Sequence, residues 1–247
     1  MIHYPYDLHT HTKLSDGWDD VRGNVRSAEA CGMEMVAITD HVSQETIGIV
    51  DQVITQVQSA RKESPIRVLA GVEAYIVDST GAISIDAECE SKLDLVLADF
   101  GGRTSGIGHD APANKTEALT LLVSAIIGAS QLDHLHILAH PFSLGRLDCP
   151  LALDDLTPSA LQEIAQAMVS GNLVFEIMNQ FHYWWPGVPI AQLTDRYAEI
   201  VALFAHEGVR FSLGSDGHRT GAIGNLSWCY RVADLAGLTD EMMFVPA

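Results

Sequence analysis

The 247-residue chain is 47% hydrophobic and 19% charged. It can bury a full core as one domain spanning 1–247, since α/β barrels commonly run to about 250 residues undivided, and extended disorder is excluded. Its 32 acidic against 14 basic residues, a net −18, repel the phosphate backbone of long nucleic acid and favour small substrates.

The first predicted strand, near residues 5–10, lies in "YDLHTHTKLSDG". On a strand, residues i and i+2 share a face, so His9 and His11 stand side by side in a metal-chelating geometry. A lone His-x-His is as readily accidental as functional. The helical pattern "DDVRGNVRSAEACG" leads to a strand near 35–39 ending at Asp40 and His41, and "TIGIVDQVITQVQSARK" leads to one near 67–72 ending at Glu73. The fourth, near 94–98, ends at Asp99. "NKTEALTLLVSAIIGAS" carries the longest apolar stretch, well short of the ~20 residues of a membrane span. A fifth strand near 135–139 ends at His140, and "TPSALQEIAQAMVSG" precedes a sixth near 173–178 with Glu176 and Asn179. The aromatic loop "NQFHYWWP" follows. "IAQLTDRYAEIVALFAHEG" then precedes the seventh strand, near 210–214, with Asp216 and His218 just beyond it. Several of these helices stop at glycine, as C-terminal caps do.

Alternating β and α elements imply parallel strands wrapped by helices, and the natural closure is a barrel. In a barrel the C-terminal strand ends gather on one rim, where active sites of such folds are built. Any one of these polar residues could be a helix cap or a solvated loop side chain. The ordered set is hard to assign to chance. Cys31, Cys89, Cys149 and Cys229 are far apart, with no Cys-x-x-Cys pair. They are expected to be reduced and mostly buried. The first residues have no basic region followed by an apolar one, so the expected location is cytoplasmic, with no membrane partner.

"DLHTHTKLSDG", "AITDH", "GVEAY", "ILAHP" and "LGSDGH" resemble, in order and spacing, the motifs of the polymerase and histidinol phosphatase (PHP) family. The resemblance runs from residue 6 to about residue 225. It implies a distorted seven-stranded (β/α)7 TIM-like barrel with two or three divalent ions, Zn, Mn or Fe, on its C-terminal rim. It makes His9, His11, Glu73 and Asp216 ligands of one ion, with Asp16, His41 and His218 holding another. Glu73 would bridge to a third ion shared with His140, and Glu73 and Asp216 are the residues expected to be catalytic. Imidazoles mixed with carboxylates suit such metals better than an all-oxygen Mg or Ca cage. One departure stands out: Gly101 aligns where many members carry a histidine. Asp99 or His109 is the candidate replacement at the third site.

The implied reaction is hydrolysis of a phosphate ester in a small metabolite or nucleotide, by a hydroxide bridging the metals. Lys13, Arg103, Arg146 and Arg219, each in a loop after a strand, are candidates to hold the phosphate. The aromatic loop could stack on a substrate ring or close over it, or else serve as an oligomer contact or satellite core. Two further readings compete: an amidohydrolase-type metal hydrolase, against which the "SDG", "AITDH" and "SDGH" motifs stand, and a noncatalytic metal-stabilised module.

Overall fold

A computed structural model describes residues 2–246. Its strands are β1 (Tyr6–Asp7), β2 (Met35–Ile38), β3 (His41–Val42), β4 (Arg67–Tyr75), β5 (Leu95–Asp99), β6 (Ile137–Leu138), β7 (Val174–Met178) and β8 (Phe211–Gly214). They pair in parallel in the order β1-β2-β4-β5-β6-β7-β8, with β3 also on β4. β2 and β3 are one interrupted stave, because Met35 opposite Arg67 and His41 opposite Glu73 keep the same register. The barrel therefore has the seven staves expected, and the extra segment is a continuation of the second. Across the seam, the Leu8 N–H donates to the Leu213 carbonyl at 3.2 Å and the His11 N–H to that of Gly217 at 3.0 Å, nearly closing the barrel.

Two staves are shorter than the apolar patterns suggest. Within 5–10 only Tyr6 and Asp7 form a ladder, since Leu8 bonds across to β8 while Thr10 and His11 pair with Gly217 in the loop beyond it. Within 135–139 only Ile137 and Leu138 do.

The helices α1 (Val21–Ala30), α2 (Ile49–Arg61), α4 (Lys115–Ala129), α5 (Pro158–Ser170) and α6 (Ile190–Glu207) fall where their patterns lie. Their ends have local causes. Asp20 caps α1 by accepting from the Gly23 N–H, and Asn114 caps α4 through the Thr116 N–H. Thr157 caps α5, whose first residue is a proline with no N–H to satisfy. α6 ends on Gly208 in the left-handed conformation (φ 96°) that glycine adopts without a Cβ penalty. The short α3 (Ala87–Glu90) and α7 (Ser227–Leu235) were not among the sequence expectations.

The strands are buried on both faces, as parallel staves under helices must be: every residue of β2, β5, β7 and β8 is inaccessible. Phe142, Phe175, Phe204 and Phe211 meet edge-on or tilted in the core. All four cysteines are free; Cys89 and Cys229 are buried, but Cys31 is exposed and Cys149 half-buried, against the expectation of mostly buried thiols. No helix among the described residues is long and apolar enough to cross a membrane.

Candidate metal centre

The staves deliver their polar ends to one point. His9 and His11 follow β1, His41 opens β3, Glu73 lies in β4, Asp99 ends β5, His140 follows β6, and Asp216 and His218 follow β8. His9, His11, Glu73, Asp99 and His140 are buried. Register does part of this work. His41 sits directly opposite Glu73 on neighbouring staves, which brings His41 Nδ1 to 2.9 Å from Glu73 Oε2.

Three groups of potential ligands overlap at shared members: His9, His11 and Glu73; His11, Asp16, His41 and His218; and Glu73, Asp99 and His140. Asp216 Oδ1 adjoins the first, 3.1 Å from His11 Nε2 and 3.7 Å from His9 Nε2. Glu73 spans two groups with its two oxygens. Oε2 lies 3.3 Å from His9 and 3.5 Å from His11, while Oε1 lies 3.0 Å from His140.

The donor chemistry fits divalent cations. Buried polar atoms are ordinarily hydrogen-bonded, yet His11 Nδ1, His41 Nδ1, Glu73 Oε2 and Asp99 Oδ1 have no hydrogen-bond partner. The close His41–Glu73 pair is among these orphans, so its proximity does not satisfy either atom. Buried lone pairs converging from imidazole and carboxylate are what a Zn-, Mn- or Fe-type ion would satisfy.

A layer behind these groups fixes their orientation. Glu176, buried in β7, accepts from His9 Nδ1 at 2.8 Å with one oxygen and from the His140 backbone N–H at 2.6 Å with the other. The first bond keeps the His9 proton on Nδ1 and turns the Nε2 lone pair into the cluster. His218 is set the same way, its Nδ1 donating to the Asp216 carbonyl at 2.9 Å while Nε2 faces Asp16 at 3.2 Å. Asp40 accepts from the Thr12 N–H and the Ser15 hydroxyl, pinning the loop that carries Asp16. His140 (φ 29°) and Asp216 (φ 51°) hold left-handed backbones, a strain of about 1–3 kcal/mol each that is typical of functional sites.

Electrostatics follow from crowding acids and imidazoles out of water. Burial alone would lower His41 and His140, but Glu73 outweighs it and holds both at about 9. Burial likewise opposes protonation of His9, yet Glu176 and Glu73 raise it well above the ordinary range. Asp99 is pushed up to about 7 by burial and by Glu73 beside it. Asp16, despite partial burial, is drawn down to about 2, chiefly by the His218 hydrogen bond. The cluster thus attracts positive charge strongly.

The other candidates are placed as follows. His109 lies on an exposed loop beside Asp110 and outside all three groups, whereas Asp99 belongs to one. Gly101 explains part of this: a Cβ there would lie 2.9 Å from Asp99 Oδ2, so the bare glycine leaves room for that carboxylate. Above the cluster opens a cavity of about 1270 Å³, lined by Arg103 and Arg219 but not by Lys13, which faces Asp20 at 3.9 Å. Arg146 is exposed and stacks on Tyr183, itself a lining residue. The aromatic loop divides its labour. Phe181 packs into a satellite core on Tyr197 and Trp228, while Trp184 stacks on His140 at 5.9 Å and walls the cavity.

Sequence reasoning noted Glu176 and Asp40 on the rim without assigning their work. The available signal was an acid inside the apolar, buried run "VFEIM".

Comparison with known proteins bears on the family and the fold. The family model described as the PHP domain matches residues 7–180. A protein named "Probable phosphatase" from Caldanaerobacter subterraneus subsp. tengcongensis is 25% identical over 240 residues, covering 96% of this chain and 85% of that one. A second so named, from Thermoanaerobacter sp. strain X514, is 23% identical over 241 residues, covering 96% and 88%. The histidinol phosphate phosphatase of Lactococcus lactis, solved with Zn, L-histidinol and phosphate, superposes with a TM-score of 0.65 at 19% identity over 94% of each chain. That likeness establishes the barrel fold.

Proposed function

The chain belongs to the PHP domain family, and from that premise we propose that it is a metal-dependent phosphoesterase acting on a small phosphorylated metabolite or nucleotide. The observation that carries the reading is the convergence of three ligand groups, with buried unsatisfied donors, on the floor of an open cavity. Relatives named as phosphatases support it.

In this reading His9, His11, Glu73 and Asp216 hold one ion, and Asp16, His41 and His218 hold a second. Glu73 and His140 would hold a third, with Asp99 as the replacement ligand. Divalent Zn, Mn or Fe bound there would ionise a water at neutral pH and neutralise the non-bridging oxygens of the phosphate. Glu73 and Asp216 are the catalytic carboxylates: each faces imidazoles of more than one ligand and so keeps the reacting centre compact. Glu176 and the Asp216 carbonyl orient His9 and His218 through their Nδ1 atoms. Arg103 and Arg219 bring positive charge to the mouth, where an anionic substrate enters a strongly acidic protein. The four free cysteines suit a reducing cytoplasm.

The test is hydrolysis of a chromogenic phosphate monoester by purified protein, with chelator and then with added Mn or Zn. Turnover lost to chelator and restored by metal is expected. Metal binding without turnover on any phosphate ester would favour a noncatalytic module.

A further inference from the structure

Resting on the phosphoesterase reading, we infer that the preferred substrate carries a second anionic group, a phosphate or carboxylate, which docks on the arginines at the cavity mouth. The cavity is built in layers. Outside the ligands come aromatic rings: Tyr75 stacks on His41 at 5.5 Å, Trp184 on His140 at 5.9 Å, and Trp18 stands two residues beyond Asp16. Outside the rings come guanidinium groups. Arg103 lies over Tyr75 at 4.9 Å, Arg219 over Trp18 at 3.7 Å, and Arg146 over Tyr183 at 3.8 Å.

These three arginines are not held by acids, although the chain has 32 of them. Lys13, Arg22, Arg61, Lys115 and Arg196 each face a carboxylate within 4 Å. Among the described residues, Arg103, Arg146 and Arg219 face none, nor do Arg26, Lys62, Lys92, Arg210 and Arg231; what sets the three apart is that each lies on an aromatic ring that lines the cavity. Stacking orders a guanidinium while leaving its N–H edge free, which is how arginine presents a fork to an incoming phosphate or carboxylate.

One phosphate does not use all of this. The ester to be cleaved is already met by the charge the metal ligands gather, deep on the cavity floor. A volume of about 1270 Å³ exceeds the roughly 300–1,000 Å³ usual for small-ligand sites, leaving room for an extended molecule. The outer guanidiniums therefore read the far end of the substrate. A neutral or cationic far end gains nothing there.

The experiment compares matched esters on the Mn-loaded protein: fructose 6-phosphate against fructose 1,6-bisphosphate, and glycerol 3-phosphate against 3-phosphoglycerate. In each pair kcat/KM is expected to be at least tenfold higher for the member with the second anion, mainly through KM. In Arg103→Gln/Arg219→Gln that ratio should collapse toward unity. Both side chains are exposed, so an unchanged melting temperature verifies the variant's fold. Equal kcat/KM within the wild-type pairs would overturn the inference. So would a variant that loses activity equally on both members, because the arginines would then serve the scissile phosphate alone. Turnover on no ester at all would instead overturn the phosphoesterase reading, and this inference with it.

Discussion

At the scale of single residues, His9, Glu73 and Asp216 each offer lone pairs that no neighbour of another kind can replace. Their alanine variants are expected to lose phosphoesterase activity and bound metal together, measured by phosphate release and elemental analysis on the same preparation; wild-type values for any of the three would remove it from the ligand set. Glu176 works one step back. In Glu176→Gln the amide cannot accept from both His9 Nδ1 and the His140 N–H, so metal affinity should fall about 10–100-fold, read by competition with a chromogenic chelator. Unchanged affinity would make Glu176 a packing residue only. Gly101→Ala should selectively weaken the ion nearest Asp99, since the added methyl would crowd Asp99 Oδ2. Most members of the three converging groups were legible in the sequence because strand periodicity sets His9 beside His11 and the motifs end at chemically useful residues. Gly101 was legible as a departure with Asp99 or His109 left open as its replacement: that Asp99 joins Glu73 and His140 while His109 does not depends on a loop conformation no local pattern encodes. Lys13 and Arg103 looked alike as basic loop residues, and only the fold turns one away from the cavity and the other into it.

At the scale of elements, the seam between β1 and β8 decides whether His9 and His11 meet Asp216. Asp7 fastens it from below, accepting from the Ser215 N–H at 2.9 Å and the Gly224 N–H at 2.8 Å while buried. Asp7→Asn would set an amide N–H₂ against one of these donors. We expect a loss of about 1–3 kcal/mol in unfolding free energy by denaturant titration, with weaker metal binding in the folded fraction. Wild-type stability would mean that the seam is held by its backbone bonds alone. Five helices and seven staves followed from apolar periodicity and capping residues, the strongest local signals. The β3 continuation did not, because "HV" follows the polar "TD" that ends the apolar run "MVAI", and only pairing with β4 extends the stave. Nor did α7, whose burial depends on meeting α6 and β7.

The whole molecule sets Arg103 and Arg219 at the cavity of a strongly acidic protein. A long oligonucleotide would have to run its phosphates along that acidic surface without the many lysine and arginine contacts that give nucleic-acid binders their affinity. Turnover per enzyme should therefore be much higher on small phosphate esters than on long single-stranded DNA or RNA at physiological salt. Efficient digestion of a long strand, with little activity on any small ester, would contradict this. The charge argument was available from composition alone; the gathering of Arg103, Arg146 and Arg219 about one cavity was not, since it depends on which loops converge. The central claim is that the stave ends form one multi-ion centre, and the most direct measurement is anomalous scattering from crystals of the Mn- or Zn-loaded protein. The account predicts peaks among His9, His11, Glu73 and Asp216, and among Asp16, His41 and His218, with any third peak touching Asp99 and His140. Peaks only elsewhere, or none at full metal loading, would contradict it.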